Sequence, residues 1–256
     1  MSELLVERHG PVETWTLNRP AVRNALDENL ITLLGAAAAS AEATDTEVVV
    51  LRGGGPSFCA GADLSLLSTY DSARGRTPRD HLTAIWDLTL AMERSAVTYV
   101  AVLHGHAIAG GLELALACDV VVASAGTLIG DGHVRQCLMP GGGASVRMER
   151  TLGRAAATWL ALTGELLHAE APSFASWLHA VTAPEDLDDA VAAIVQKLLA
   201  APATARAAYK RLLDRTHGRL SPTDRDRELD AFDRHWLAHD VPQTLRAFLA
   251  RNREAS

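Results

Sequence analysis

The stretch Ala107–Asp119 is apolar throughout its length except for one internal acid, Glu113, and its terminal aspartate. It follows a strand-like apolar run, Thr98–Leu103, and its helical part opens with Gly110 and Gly111. A helix that has no polar face is normally buried. A carboxylate inside such a helix is costly unless it is paired or has a function that needs it. We therefore predict a buried helix with Glu113 about one turn from the free N-terminal amides.

The position of Glu113 near a helix N-terminus has a chemical meaning. An acid beside exposed amides, at the positive end of a helix dipole, suits a site where an oxyanion develops. A second junction of small residues, Ala60–Asp63, follows another apolar run, Glu47–Leu51. If the two junctions faced each other, they would offer two amides to one oxygen. This arrangement matches what a thioester enolate needs, because its charge gathers on one carbonyl oxygen.

Composition excludes several classes of function. The chain has 256 residues and a net charge of −7, which argues against nucleic acid as the main partner because phosphate binding needs a basic field. The three cysteines are widely spaced, so we expect neither a zinc site nor a disulfide framework. We find no signal-peptide pattern and no apolar run long and pure enough to span a membrane. The expectation is a cytoplasmic protein without a bound metal or a membrane partner.

Strands, loops and helices alternate about three times before Pro140, which favours an α/β fold followed by a helical part. The predicted strands are Leu4–Val6, Val12–Leu17, Glu47–Leu51, Thr98–Leu103 and Asp119–Ser124. The predicted helices are Leu26–Ala43, Asp80–Glu93, Ser145–Leu162, Leu187–Ala201, Thr204–His217 and Thr223–Arg251. Gly153 is a candidate break within the third of these helices. The region between Gly126 and Gly143 is rich in glycine and is predicted to be irregular.

Several pieces of the sequence, in their order and spacing, resemble the crotonase (enoyl-CoA hydratase/isomerase) superfamily over nearly the whole chain. They are Leu17–Pro20 with Asn24–Leu26, Phe58–Leu64, His106–Ala115 with Cys118 and Asp119, and Met139–Gly143. The resemblance implies a spiral of ββα units over residues 1–200. It also implies a helical region over residues 201–256 that builds trimers and completes a CoA site. The implied ligand is an acyl-CoA thioester, the implied assembly is a homotrimer or a dimer of trimers, and no further cofactor is expected.

The resemblance also assigns roles to individual residues. The N–H groups of Ala62 and Gly110 would hold the thioester oxygen, and Glu113 would be the first of two catalytic glutamates. The second glutamate falls at position 133, where this chain carries His133. A histidine can take or give a proton near neutral pH, so we predict that His133 shares the acid–base work with Glu113. Asp131 either orients the ring of His133 or serves as an ordinary turn residue.

Binding residues follow from the same motifs. The residues expected to contact CoA are Arg23, Ala25, Ala60, Ala62, Asp63 and Leu64. The residues expected to line an acyl pocket are Leu67, Tyr70, Trp86 and Leu138. Apolar spacing alone does not separate a pocket from a core, so the second set depends on how the helices pack.

The expected reaction is the addition of water to a 2-enoyl-CoA, or its reverse. The replacement of the second glutamate by His133 keeps two other reactions open. Double-bond isomerisation needs only one base that shuttles a proton, and hydrolytic carbon–carbon cleavage of a β-keto-acyl-CoA would use His133 to activate water. A member that binds acyl-CoA without converting it is an alternative of another class, although the retention of Glu113 argues against it.

Overall fold

The computed structural model describes residues 2–71, 74, 77–216 and 220–254. Its strands are β1 (Leu4–His9), β2 (Val12–Leu17), β3 (Val48–Gly53), β4 (Thr98–Leu103), β5 (His106–Ile108), β6 (Val120–Ser124), β7 (Leu128–Gly130), β8 (Leu167–His168) and β9 (Ala180–Thr182). Its α-helices are α1 (Glu28–Glu42), α2 (Leu64–Leu67), α3 (Arg79–Arg94), α4 (Gly110–Leu116), α5 (Ala144–Leu152), α6 (Arg154–Thr163), α7 (Leu187–Ala200), α8 (Ala203–Thr216), α9 (Pro222–Ala238) and α10 (Val241–Glu254). The predicted α/β order with a helical C-terminal part is confirmed.

The larger sheet has six strands in the order β1-β2-β3-β4-β6-β9. Only the β1–β2 pair is antiparallel, and the other pairs are parallel. Parallel strands are usually covered on both faces, and every residue of the central strand β4 is buried. Helix α7 covers one face through Leu187 and Val191, which pack on valines of β3, β4 and β6. The main core, with α1, α3 and α4, lies on the other face.

A second sheet of three strands, in the order β5-β7-β8, positions the residues of interest. Strands β5 and β7 are parallel, with Ile108 opposite Gly130. Because the carboxyl ends of parallel strands meet at one edge, the chain that enters α4 after β5 lies beside the chain that follows β7. An isolated bridge between Cys59 and Ala107 brings the Ala60–Asp63 junction to the same place. The ends of β5 and β7 and the Cys59 bridge therefore meet although they are far apart in sequence.

The predicted helix boundaries hold best where a cap or a glycine marks them. Helix α1 begins after Asp27, whose Oδ1 accepts a hydrogen bond from the Leu30 N–H at 2.9 Å. The predicted helix Ser145–Leu162 is two helices, α5 and α6, which meet at Gly153. Gly153 has φ +80°, a conformation that glycine adopts without strain.

The prediction of one continuous helix over Thr223–Arg251 is wrong. Helix α9 ends at Ala238, and the backbone of His239 is extended before α10 begins. Pro242 cannot donate to a helix ladder, and Asp240 instead accepts a hydrogen bond from the Gln243 N–H at 3.1 Å. A helix therefore ends and a new one starts at this point.

The last predicted residue of the helix Thr204–His217 lies outside the described residues. Strands β5, β7, β8 and β9 were not predicted, because each has only two or three residues and shows no readable alternation. None of the helices in the described part of the chain is long and apolar enough to cross a membrane.

Helix α4 lies close to the backbone of Cys59, and this contact gives a stability prediction. A methyl group on Gly111 would overlap the carbonyl oxygen of Cys59, which is backbone and cannot swing away. We expect Gly111→Ala to lower the free energy of unfolding by about 1–3 kcal/mol. Gly35→Ala is the matched control, because a methyl there meets no atom within 4 Å. It should raise the free energy of unfolding by up to about 1 kcal/mol. Urea unfolding measures both, and an unchanged midpoint for Gly111→Ala would contradict this packing.

Candidate active site

Two backbone amides, those of Ala62 and Gly110, lie side by side where the ends of β5 and β7 meet the Cys59 bridge. A Cβ built on Gly110 would lie 3.3 Å from the Ala62 nitrogen, and one built on Gly61 would lie 3.1 Å from the Gly110 nitrogen. Within the described residues, neither N–H donates to a protein acceptor, although the neighbouring Asp63 N–H bonds the carbonyl of Leu26 at 2.9 Å. Two unpaired donors at a helix start can share one oxyanion.

The residue before Gly110 holds these amides in place through an unusual backbone. Ala109 has φ +52° and ψ −117°, which is sparsely populated for a residue with a side chain. Its N–H donates to the carbonyl of Gly130 at 3.0 Å, and its carbonyl accepts from the Glu113 N–H at 2.9 Å. Such strain concentrates at active sites, where the surrounding structure enforces it. Nothing in the sequence around Ala109 marks this conformation.

Glu113 is buried, with 2% of its surface exposed, and it is satisfied by the backbone of a glycine-rich loop. Its Oε1 accepts hydrogen bonds from the N–H groups of Gly142 at 2.9 Å and Ala144 at 3.1 Å. A side chain at position 142 would overlap Glu113 Oε2, so glycine is required there. Two amides thus stabilise the carboxylate at one oxygen and leave the other for a reactant.

His133 begins a 3₁₀ turn, His133–Gln136, directly after β7. Its Nδ1 donates to Asp131 Oδ1 at 2.9 Å, because a carboxylate can only accept, and this bond leaves Nε2 for another partner. Burial alone would lower the pKa of His133, but the charge and hydrogen bond of Asp131, together with the charges of Glu113 and Glu228, raise it by more. The pKa of His133 is raised from 6.5 to about 9. The ring is therefore an imidazolium at neutral pH.

A cavity of about 780 Å³ opens beside these groups. It gathers most of the residues that the motifs singled out, namely Arg23, Ala25, Ala60, Ala62, Asp63, Leu64, Leu67, His133 and Leu138. Ala109 also lines the cavity, while Gly110 and Glu113 follow it on α4, behind the wall. The carboxylate of Asp63 already has partners, since it pairs with Arg19 at 3.2 Å and caps α2 through the Ser65 N–H.

Two of the predicted pocket residues lie elsewhere. Trp86 is buried in the core under the guanidinium of Arg147, 5.5 Å from its ring centre, and does not line this cavity. Tyr70 packs edge-on against Trp236 and borders a different cavity, next to the start of α10. Both residues are aromatic, and an apolar pattern in the sequence predicts that such side chains are buried. The pattern does not predict which cavity or which neighbouring residues they contact.

The apolar wall includes residues that sequence reasoning missed. They are Leu82 of α3, Met139 of the glycine-rich loop, and Phe232, Phe248 and Leu249 of the C-terminal helices. The last three are apolar residues of predicted helices, and their apolar character alone does not tell which cavity they line. The C-terminal helices thus close the cavity that the strand ends open.

Comparison with known proteins identifies the family. A family profile described as enoyl-CoA hydratase/isomerase matches residues 7–254. The chain belongs to the enoyl-CoA hydratase/isomerase family. The resemblance to the crotonase superfamily is confirmed.

Individual relatives agree with this assignment. The chain is 34% identical over 219 residues to a probable enoyl-CoA hydratase of Rhizobium meliloti, covering 83% of each chain. It is 37% identical over 171 residues to the 2,3-dehydroadipyl-CoA hydratase of Escherichia coli, covering 66% of this chain and 65% of that one. The crystal structure of an enoyl-CoA hydratase from Mycobacterium avium subsp. paratuberculosis superposes with a TM-score of 0.85 at 27% identity, covering 96% of this chain and 98% of that one. The predicted crotonase-like fold is confirmed.

The bond between Asp131 and His133 gives a prediction that does not depend on turnover. Replacing Asp131 by Asn removes the largest influence that raises the pKa of His133 and leaves the opposing effect of burial. We expect the pKa of His133 to fall from about 9 in the unmodified protein towards its ordinary value of 6.5 in Asp131→Asn. Titration of labelled histidine by NMR measures the change. If the pKa of His133 were the same in Asp131→Asn as in the unmodified protein, Asp131 would not be the group that raises it.

Proposed function

We propose that this chain is an enoyl-CoA hydratase that adds water reversibly to the double bond of a 2-enoyl-CoA. The observation that carries the proposal is that Ala62 and His133 line one cavity, while the Gly110 amide lies beside that of Ala62 and the buried Glu113 carboxylate follows on α4 directly behind the cavity wall. Several relatives of the chain are named as hydratases, which supports the same reaction class.

The proposed mechanism begins with the thioester oxygen on the N–H groups of Ala62 and Gly110. Glu113, as a carboxylate, takes a proton from water while the water oxygen bonds the β-carbon. The electron pair of the double bond moves toward the carbonyl, and the two amides stabilise the resulting enolate oxygen. His133 then gives its proton to the α-carbon, which completes the addition, and Glu113 loses its proton to water while His133 regains one from water before the next turnover. The reverse sequence eliminates water.

The charges of the two side chains favour this division of work. Glu113 accepts hydrogen bonds from two backbone amides at one oxygen, and a carboxylate so placed can act as a base through its other oxygen. An imidazolium paired with Asp131 carries the proton that the α-carbon needs. The reaction as written needs no metal or further cofactor, since the CoA group belongs to the substrate. Arg23, Ala25, Ala60, Asp63 and Leu64 are proposed to contact the CoA portion.

Isomerisation and carbon–carbon hydrolysis remain the competing reactions, and a non-catalytic acyl-CoA binder is the competing class. The purified protein is offered 2-enoyl, 3-enoyl and β-keto acyl-CoA esters, and the products are followed by mass. We expect water addition to 2-enoyl-CoA, with Glu113→Gln and His133→Ala each lowering kcat at least about 100-fold while KM changes little. If only a 3-enoyl ester were converted, the protein would be an isomerase, and if only a β-keto ester were converted, it would be a hydrolase. Binding without conversion of any ester would support the non-catalytic class.

Matched controls for these variants lie on the surface. Glu185→Gln and His9→Ala change the same residue types at exposed positions away from the cavity. Both should keep the turnover of the unmodified protein. If His133→Ala were as active as His9→Ala, His133 would have no part in the reaction.

The raised pKa of His133 predicts a pH dependence. If the imidazolium donates the α-proton, activity is present below the pKa of His133 and is lost as pH rises through it, at about 9. In Asp131→Asn this alkaline limb should move to lower pH, because the pKa of His133 falls. The measurement is kcat against pH with a 2-enoyl-CoA. An alkaline limb that stays in place in Asp131→Asn would exclude His133 as the proton donor.

We further propose that the chain assembles into trimers, alone or as a dimer of trimers. Large apolar side chains are exposed on α8, namely Tyr209, Leu212 and Leu213, and on α6, namely Trp159 and Leu162. Exposed apolar patches of this kind are typical of surfaces between protein chains. They support the assembly that the family resemblance implies.

A further inference from the structure

A third acidic side chain, Glu228, reaches the glycine-rich loop from the C-terminal helix α9. It is 6% exposed, so its carboxylate is taken out of water. Its Oε1 accepts from the Gly143 N–H at 2.7 Å, and its Oε2 accepts from the Ser145 N–H at 3.0 Å and from the Ser145 hydroxyl. Glu228 does not line the cavity described above. Its partners are therefore in the loop.

Glu113 and Glu228 bind alternate amides of one short segment. Glu113 takes the N–H groups of Gly142 and Ala144, and Glu228 takes those of Gly143 and Ser145. The segment runs between the two carboxylates and enters α5, whose dipole favours negative charge at this end. A shift of the segment toward either acid would break hydrogen bonds to the other.

Other groups prevent the segment from moving. Arg147 donates to the carbonyl of Gly142 at 2.6 Å and is itself held by Glu93 at 2.8 and 3.0 Å. Gly143 has φ +103°, and a side chain there would overlap the Arg147 guanidinium. The loop is thus fixed by an arginine on its carbonyl side and by two carboxylates on its amide side.

Keeping Glu228 at this place is unfavourable in itself. Burial raises its pKa, and the nearby charge of Glu113 raises it further, to about 7. An acid that sits near a like charge and out of water costs free energy, which its three hydrogen bonds offset only in part. An apolar side chain at position 228 would avoid the cost but would leave two loop amides without acceptors, and a glutamine would keep only one acceptor oxygen for them.

We propose that Glu228 is a positioning residue, which fixes the segment Gly142–Ser145 in the conformation that aims Glu113 at the substrate. This inference rests on the proposed function, because it assumes that Glu113 reacts. Glu228 acts on the reaction only through the loop and through its charge. Among the described residues, the acids that raise the pKa of His133 are Asp131 on its own loop, Glu113 on α4 and Glu228 on α9, and the cations Arg23 and Arg135 line the same cavity. Removing the charge of Glu228 is therefore also expected to lower the pKa of His133.

The test compares Glu228→Gln with Asp226→Asn in the full-length protein. Asp226 is an exposed acid on the same helix and serves as the matched control. In Glu228→Gln we expect kcat with a 2-enoyl-CoA to fall at least about tenfold, because a misplaced catalytic group loses rate steeply. KM should change by less than about twofold, since the cavity wall is intact. The alkaline limb of kcat should move to lower pH.

These readouts separate positioning from a structural role. If Glu228→Gln keeps the kcat and the alkaline limb of Asp226→Asn, the inference is overturned. It is also overturned if kcat falls together with stability while the alkaline limb does not move. Should Glu228→Gln fail to fold, Ser145→Ala removes one of the three donors at an exposed position. That variant should lower kcat about threefold at unchanged KM, and full activity would count against the inference.

Failure of the proposed function is recognised independently. If the unmodified protein does not hydrate any 2-enoyl-CoA, the hydratase assignment fails, whatever the variants do. The influence of Glu228 on the site is then read from the NMR titration of His133. A lower pKa of His133 in Glu228→Gln than in Asp226→Asn supports the link between α9 and the site, and equal values reject it.

Discussion

A carboxylate inside an apolar helix must find hydrogen-bond donors, and Glu113 takes them from the backbone of Gly142 and Ala144. This one requirement ties together parts of the chain that are distant in sequence. Helix α4 must lie against the glycine-rich loop, and the loop must lack side chains where the carboxylate approaches. Without the two amides, a buried charge at this place would cost several kcal/mol.

The rest of the site is arranged around this contact. Parallel pairing of β5 with β7 brings α4 and the Asp131–His133 turn to one edge, and the Cys59 bridge adds the Ala62 amide. Ala109 has a strained backbone conformation, which lets the chain turn from β5 into α4. The strain is held by hydrogen bonds on both sides of the residue, which is how a packed structure maintains a local conformation of high energy.

Sequence reasoning found what is local and missed what depends on long-range packing. The apolar helix with one acid predicted the burial of Glu113, and the spacing of two residues predicted that Asp131 could meet His133. Glu228 was not predicted, because it contacts Gly143 across 85 residues and reads as one of many charges on a polar helix. The position of Trp86 in the core and the break at His239 likewise depend on which faces of the helices meet. Short strands such as β5 carry too few residues for a pattern.

The central claim is that this geometry adds the oxygen of water to the β-carbon of an enoyl thioester. It is tested most directly by turnover of a 2-enoyl-CoA in heavy-oxygen water, with the label located by mass spectrometry. We expect one labelled oxygen on the β-carbon of a product whose thioester is intact. A shifted double bond without label, or a label found only in a released carboxylate, would contradict it.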